Sequence, residues 1–295
     1  MRTLAPLPNP LLEETRQSWN VATAAHNAHK AGQGEWLRTH STLFPEEVGL
    51  LGDIRGRDLL HLCCNSGQDT ISLALHLGAR CSGVDMSDVA VEAARALSAT
   101  AGAGLTVHQD EVIHFLEESD QRYDIVYGSY GFLPWIHDLP RLFRGVRRVL
   151  RPGGRFVALE FHPMAWSFDP DFRLRDPYFA PGLLFSEPVS DYVGAAGGAL
   201  SPSGHVDGAA AYDNPHRAHA AQQPVGDIVT ALLEAGFTLE ALREWPYANG
   251  CRLNPSLVAE GEDGWAARRF VPPTGVPSIP LMVGLSARKT RGGRG

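Results

Sequence analysis

The sequence predicts an α/β fold built on an open, doubly wound, mostly parallel sheet, and three observations predict it. The first is Leu59 to Leu62, a short apolar run as long as a buried strand, broken by a tight turn at Asn65-Ser66-Gly67. The second is the spacing that follows. Ile71, Ala74 and Leu75 fall at i, i+3 and i+4 on one helix face, and Gly78 stands where a helix C-terminal glycine belongs. The third is another apolar run, Cys81 to Val84, that closes on Asp85, 18 residues beyond Gly67. Strand, glycine turn, helix and a strand ending in an acid make the nucleotide-binding half of such a sheet. The acid is placed to accept hydrogen bonds from a ribose.

The turn discriminates between nucleotides. A dinucleotide site wants Gly-x-Gly-x-x-Gly, so that backbone N–H groups and a helix N-terminus meet a pyrophosphate. Here the pattern is Asn65-x-Gly67-x-x-Thr70, and Asp69 in the first helical turn would repel phosphate. S-adenosylmethionine (SAM) carries no phosphate, a positive sulfonium and an ammonium, and it suits an acidic turn with fewer glycines. A dinucleotide oxidoreductase is the less favoured reading.

The same residues resemble the class I SAM-dependent methyltransferases, a family whose first strand typically runs into Asp-Leu-Gly-Cys-Gly-Thr-Gly. His61-Leu62-Cys63-Cys64-Asn65-Ser66-Gly67 matches it at Leu62, Cys64 and Gly67 and departs at His61, Cys63 and Asn65. Asn is the best non-glycine residue for a left-handed backbone position, so Asn65 is a mild change. Later landmarks agree: Val107-His108-Gln109-Asp110 at the third strand, Tyr123 to Tyr127 at the fourth, and Val149-Leu150-Arg151-Pro152-Gly153-Gly154-Arg155-Phe156 entering the fifth. The resemblance covers 57–160 continuously and then 225–288 with an insertion. It implies a Rossmann-like sheet of seven strands, mostly parallel with an antiparallel last strand, and SAM as cofactor.

The remaining elements follow in order. Glu13 to His29 reads as a helix with Trp19, Ala22 and His26 on one side, and Pro45 to Leu51 as a short helix with Pro at its first turn and acids beside it. Asp88 to Ala99 is the helix after the second strand, with Ser87 as N-cap. Asp138 to Leu150 is the helix after the fourth. From 162 to 223 the alternation fails, and Pro, Gly and aromatic residues (Trp166, Phe168, Phe172, Tyr178, Phe179, Phe185, Tyr192, Tyr212) dominate. A structureless loop of that length does not fit a compact domain, and the aromatics argue against disorder. An inserted cap with a β-hairpin, lying over the carboxyl ends of the strands, is expected. Val225 to Ala235 returns to helix before Gly236. Leu239 to Trp245 and Ile279 to Ala287 read as the last two strands, an irregular excursion from Pro246 to Ser278 separates them, and the chain ends in a frayed tail from Lys289. The expected division is an N-terminal helical cap over 1–55, a SAM-binding core over 56–161, an inserted substrate cap over 162–224 and a C-terminal completion of the core over 225–295.

Composition narrows the partners. With 295 residues, 44% of them hydrophobic, the chain can bury one large domain or a domain with a cap. Its formal net charge is −7 and its basic runs stop at Arg147-Arg148 and Arg268-Arg269, which argues against nucleic acid. Apolar runs fall short of the ~20 residues of a membrane span. The N-terminus lacks the apolar centre of a signal peptide. The four cysteines, two of them adjacent at Cys63-Cys64, do not form a disulfide framework. A reducing cytoplasm, a small-molecule acceptor and a monomer or homodimer are expected.

Candidate site residues each carry a competing structural role. Asp85, followed by Met86, is expected to bind ribose; the alternative is capping of the next helix. Gly67 and the backbone from Cys63 through Asn65 to Gln68 are expected to line the methionine end of the cofactor, and Gln68 and Asp69 either bind its charged groups or cap the helix. Asp110 and Glu111 stand where the resemblance implies an acid near the adenine amino group. Ser129 ends the fourth strand at the transfer site, and Tyr130 or Trp135 beyond it either acts there through cation–π attraction or packs. The stretch lacks the Asp/Asn-Pro-Pro-Tyr/Phe of enzymes that methylate adenine or amide nitrogens. His162, just past the fifth strand, is either a general base for the acceptor or a cap. Trp19 is expected to pack, and Asn27, His29 and Lys30 remain open as cofactor contacts. His26-x-x-His29 and His216-x-x-His219 lack a third ligand of fixed geometry, so no metal is expected. The reading is a SAM-dependent methyltransferase acting on an O, N or C atom of a small molecule, consistent with secondary metabolism. The alternative is a SAM-binding sensor or partner subunit without transferase activity.

Overall fold

The computed structural model describes residues 8–180, 184–208, 211–260 and 269–290. The chain runs α1 (Asn9–Ala28), α2 (Gln33–Leu37), α3 (Pro45–Leu51), β1 (Asp58–Leu62), α4 (Gln68–Leu77), β2 (Arg80–Asp85), α5 (Asp88–Ala101), β3 (Thr106–Gln109), α6 (Val112–Glu118), β4 (Tyr123–Ser129), α7 (Leu139–Val149) and β5 (Leu150–Phe161). It continues through β6 (Leu184–Glu187), α8 (Tyr192–Ala196), β7 (Ala218–Ala221), α9 (Val225–Glu234), β8 (Phe237–Trp245), β9 (Ala248–Asn249), β10 (Val258–Glu260), β11 (Arg269–Val271) and β12 (Met282–Lys289). The predicted tail beyond Thr290 lies outside the described residues.

Seven strands form one sheet in the order β3-β2-β1-β4-β5-β12-β8. β1 to β5 pair in parallel, and β12 runs antiparallel to both neighbours. This is the mostly parallel seven-stranded sheet with an antiparallel last strand that the sequence predicts. Alternation along each strand feeds two apolar layers. Leu60, Leu62, Val126 and Phe156 pack under Phe143 of α7 and Leu232 of α9. Leu59, Ile125, Tyr127 and Val157 pack on the other face, with Leu51 of α3 and Leu73 of α4. Each such side chain, fully buried, contributes on the order of 1.5–3 kcal/mol.

The helix ends follow their sequence signals. Gly78 closes α4 with φ +73°, in the left-handed region that a side chain would strain. Ser87 caps α5 by accepting from the Ala90 amide at 3.0 Å, and Asp138 caps α7 by accepting from the Arg141 amide at 2.9 Å.

Two regions differ from the reading. The cap after β5 contains a two-stranded antiparallel ladder, but β6 and β7 are joined by a long excursion through α8 rather than a tight hairpin turn. α1 packs directly on this insert: Ser18 Oγ accepts from the Val189 amide at 3.0 Å, and Thr15 Oγ1 accepts from the His219 amide at 3.1 Å. The excursion before β12 holds a small sheet in the order β10-β11-β9, closed over Ala165, Ala248, Leu257, Phe270 and Leu281. Strands of two or three residues carry too little periodicity to be read from sequence.

Candidate functional site

A cavity of about 770 Å³ lies over the carboxyl ends of β1, β2, β4 and β5. Its floor comes from Cys63, Asn65, Gln68, Asp85, Met86 and Ser129. Its cover comes from Trp19, His26 and Lys30 at the N-terminal side, from Phe185, Val189 and Tyr192 of the insert, and from Asn249, Cys251 and Leu253 of the second excursion.

The turn after β1 owes its shape to three left-handed residues: Cys63 at φ 50°, Asn65 at φ 47° and Gly67 at φ 77°. The Asn65 carboxamide stabilises it by accepting from the Ser66 amide at 2.7 Å. Gly67 does not line the cavity. A Cβ there would sit 3.0 Å from the Ala94 Cβ, so this glycine serves the turn and the contact between α4 and α5. Asp85 is 9% exposed and does line it. One carboxylate oxygen accepts from the Asn65 amide at 2.8 Å and the other from the Ser87 amide at 2.9 Å. Burial pushes its carboxyl above the ordinary range while these amides pull the other way. Asp85 thus ties the glycine turn to the next helix; Ser87, not Asp85, is that helix's cap.

Beneath the cavity runs a buried polar chain. His61, 3% exposed, bonds the Thr70 hydroxyl through Nδ1 at 2.8 Å and the Ser129 hydroxyl through Nε2 at 3.1 Å. Both ring nitrogens are thus engaged by hydroxyls. Burial pushes the imidazole down to about 3, and it is neutral. Asp69 also accepts from Thr42 Oγ1 at 2.5 Å, and its carboxyl is raised by burial. Glu47, 1% exposed, accepts from the Phe44 amide at 2.7 Å and from the Tyr127 hydroxyl, and burial pushes it up to about 8.

The wall after β4 is held from below. Glu160 of β5 accepts from the amides of Gly131, Leu133 (2.9 Å) and Phe161 (2.7 Å), and burial raises its carboxyl to about 7. This fixes the segment that carries Tyr130 and Trp135 to the cavity. Tyr130 is half-buried, its hydroxyl accepts from Asn249 at 3.1 Å, and desolvation pushes its ionisation well above the ordinary range. Trp135 meets Trp19 edge to face at 5.4 Å, so Trp19 both packs and lines the cavity.

Three expected site residues are placed elsewhere. His162 is 4% exposed and does not line the cavity; Nε2 bonds Glu244 at 2.8 Å and Nδ1 accepts from the Met164 amide at 3.1 Å. Both ring nitrogens are engaged, so the geometry corrects the general-base reading in favour of the cap. Asp110 turns outward to His114 at 2.8 Å and borders a shallow groove with Asn9, Arg16 and Met86. Glu111 lines both groove and cavity and caps α6 by accepting from the His114 amide at 2.8 Å. Gly67 is the third. Among the described residues no group of three or more His, Cys, Asp or Glu side chains could hold a metal ion. His26 bonds the Ser190 carbonyl at 3.0 Å and His29 bonds Asp191 at 2.7 Å. Glu47 and Glu160 were not singled out in sequence; as isolated acids on a short helix and a strand end, they carry no local signal of burial.

Comparison with known proteins agrees with this geometry. The profile of a methyltransferase-domain family matches residues 59–154. Over 162 residues the chain is 30% identical to a demethylmenaquinone methyltransferase of Lactococcus lactis, covering 53% of this chain and 64% of the relative. Over 223 residues it is 28% identical to a 2-phytyl-1,4-naphtoquinone methyltransferase of Nostoc sp., covering 73% of this chain and 87% of the relative. A solved SAM-dependent methyltransferase from Clostridium acetobutylicum shares the fold at a TM-score of 0.51 and 12% identity, covering 79% of this chain and 84% of its own. A doubly wound sheet with an acid-ended second strand and a covered cavity beside a turn with no phosphate cradle is the architecture of a nucleoside-binding fold. Over residues 59–154 the chain matches a methyltransferase-domain family, and it is similar to SAM-dependent methyltransferases.

Proposed function

We propose that this protein transfers a methyl group from SAM to a small, largely apolar acceptor. The observation that carries the reading is the cavity itself: polar and acidic along the strand ends, aromatic and aliphatic under the cover, and built around a turn with no phosphate cradle. The residues present fit SAM. Asp85 offers a carboxylate edge where a ribose would lie, and the backbone from Cys63 to Gln68 faces the same space. Met86 and Glu111 line the adjoining wall. When bound, SAM supplies an electrophilic methyl on its sulfonium.

The chain's own part is alignment and exclusion of water. Trp19, Trp135, Phe161, Trp166 and Tyr192 surround the space left for the acceptor. Tyr130 presents a hydroxyl fixed by Asn249, and Ser129 stands at the strand end beside it. An acceptor built on a flat, unsaturated ring suits these walls, and two of the relatives are named for demethylmenaquinone and 2-phytyl-1,4-naphtoquinone. No helix among the described residues is long and apolar enough to cross a membrane. The free cysteines support a cytoplasmic setting, and a monomer or homodimer is part of the proposal.

Calorimetry tests the reading. S-adenosylhomocysteine is expected to bind at micromolar levels and NAD not at all, and ligand at 100 times its dissociation constant stabilises the fold by about 2.7 kcal/mol. Transfer of label from SAM to a demethylated naphthoquinol then tests the acceptor class. NAD binding more tightly than S-adenosylhomocysteine would overturn the proposal.

A further inference from the structure

α1 brings one imidazole to the cavity. Trp19, Ala22 and His26 fall at i, i+3 and i+7, on one face of the helix, and Trp19 and His26 line the cavity. Three contacts locate this face. Trp19 meets Trp135 of the segment after β4 at 5.4 Å. Asn27, the next residue after His26, donates to Ser66 Oγ in the turn after β1 at 2.8 Å. His26 itself bonds Ser190 of the insert. The ring therefore stands between the turn that borders the cofactor space and the insert that covers the acceptor space.

The ring is fixed, and one of its nitrogens is free. His26 is 4% exposed, and Tyr192 of the insert packs on it with ring centroids 4.2 Å apart. Nε2 lies 3.0 Å from the Ser190 carbonyl oxygen, which only accepts, so Nε2 carries the proton and Nδ1 a bare lone pair. No donor among the described residues reaches Nδ1. It is also not sealed in the interior, as the unpaired Thr23 Oγ1 one turn earlier is, so its lone pair opens to the cavity that His26 lines. On the protonated side, Asp191 Oδ1 lies 3.8 Å from Nε2. That carboxylate is held by the Gly194 amide at 2.9 Å and by His29 at 2.7 Å. Burial, with Lys30 and His29 nearby, pushes the ring down to about 4 against the pull of Asp191, so Nδ1 stays unprotonated at neutral pH. His162, by contrast, has both nitrogens engaged.

We propose that His26 Nδ1 takes the proton of the acceptor, which makes the acceptor an aromatic hydroxyl compound and the product its methyl ether. This deepens the proposed function and rests on the SAM reading. An amine attacks without first giving up a proton, whereas a neutral hydroxyl is a weak nucleophile until its proton is shared. In the transfer, a lone pair of the hydroxyl oxygen forms the O–C bond while the C–S bond breaks and leaves its electron pair on sulfur, giving a neutral thioether. The hydroxyl proton passes to Nδ1 in the same step, because the oxygen holds it less as the O–C bond forms. The resulting imidazolium is steadied by Asp191 and returns its proton to water when the ether leaves.

The test uses the full chain saturated with S-adenosylhomocysteine and two probes, 1-naphthol and 1-methylnaphthalene, which match in shape and differ in the hydroxyl. His26→Gln keeps an N–H for the Ser190 carbonyl and removes Nδ1. From wild type to this variant, the ratio of 1-naphthol to 1-methylnaphthalene affinity is expected to fall roughly 10-fold, the scale of one hydrogen bond. S-adenosylhomocysteine affinity should stay within about twofold, which also reports that the variant is folded. In wild type, the NMR resonance of Nδ1 is expected to move with 1-naphthol and to stay in place with 1-methylnaphthalene. With labelled SAM, wild type should convert 1-naphthol to 1-methoxynaphthalene, and His26→Gln should do so roughly 10²–10⁴-fold more slowly. An unchanged affinity ratio, an unmoved resonance or equal turnover would overturn the role of His26. Methyl transfer to a ring carbon, or a wild type that binds S-adenosylhomocysteine but does not bind or methylate 1-naphthol, would overturn the hydroxyl acceptor and leave the SAM reading intact. Failure of wild type to bind S-adenosylhomocysteine would instead remove the SAM reading beneath it.

Discussion

At the residue scale, His61 shows how one substitution is absorbed. A histidine where the family's first strand carries an acid would be costly if charged, and the fold keeps it neutral by burying it between two hydroxyls. Its pKa in the fold, about 3, lies below the unfolded value of about 6.5. The sign follows: His61 contributes stability above pH 6.5, and that contribution is lost as the pH falls toward 3. His26, buried and pushed down to about 4, acts in the same direction. Glu47 and Glu160 act oppositely, since carboxyls raised to about 8 and about 7 favour the fold most at low pH and lose that contribution as pH rises. The comparison must therefore be made between wild type and variant. His61→Asn is expected to flatten the acid side of the stability profile between pH 6.5 and 4 by up to about 1.4 kcal/mol per pH unit. Urea unfolding across that range measures it, and parallel profiles would mean that His61 is not protonated on unfolding.

At the level of elements, the cover of the site is a composite. α1 and the insert are far apart in sequence, yet Ser18, Thr15 and Asn214 interlock them by hydrogen bonds, with His219 held by Glu14 at 2.9 Å. Trp19 and Trp135 tie the same helix to the segment after β4. Elements joined in this way should respond together when the cavity fills. Amide exchange is expected to slow on adding S-adenosylhomocysteine both in α1 and in the β6–β7 ladder. Slowing confined to the turn after β1 and to β2 would show that the cover is indifferent to the cofactor and serves the acceptor alone.

For the whole molecule, charge decides which partners are excluded. The net charge of −7 is not spread as an acidic surface with a basic stripe. Ten of the described arginines lie within ion-pair distance of an acid, among them Arg16 with Asp88, Arg80 with Asp58, Arg141 with Glu117, Arg151 with Asp124, Arg269 with Glu46 and Arg288 with Glu240. Cations already paired release few counterions from a phosphate backbone. No retardation of duplex DNA is expected in a gel at 50 mM salt and micromolar protein. Salt-sensitive binding there would require a basic surface that this pairing does not leave.

The sequence by itself determined the sheet, the glycine turn and the acid at the end of β2. These rest on local rules: period-two and period-3.6 apolar patterns, caps such as Ser87 and Asp138, and the backbone freedom needed at Gly67 and Gly78. It also placed Asn65, Gln68, Met86, Ser129 and Tyr130 on the strand ends that border the cavity, because connectivity alone brings those loops to one edge. Only the tertiary structure decided which side chains face inward. His162 lies one residue past β5 and still points away to Glu244, since where a side chain aims after a strand depends on what packs against it. Asp69 and Lys30, 39 residues apart, line one cavity, which no local pattern encodes. The same is true of Glu47 and Glu160, whose burial follows from neighbours contributed by distant elements. Secondary structure is written in neighbours along the chain; a site is written in neighbours through space, and those exist only once the layers have closed.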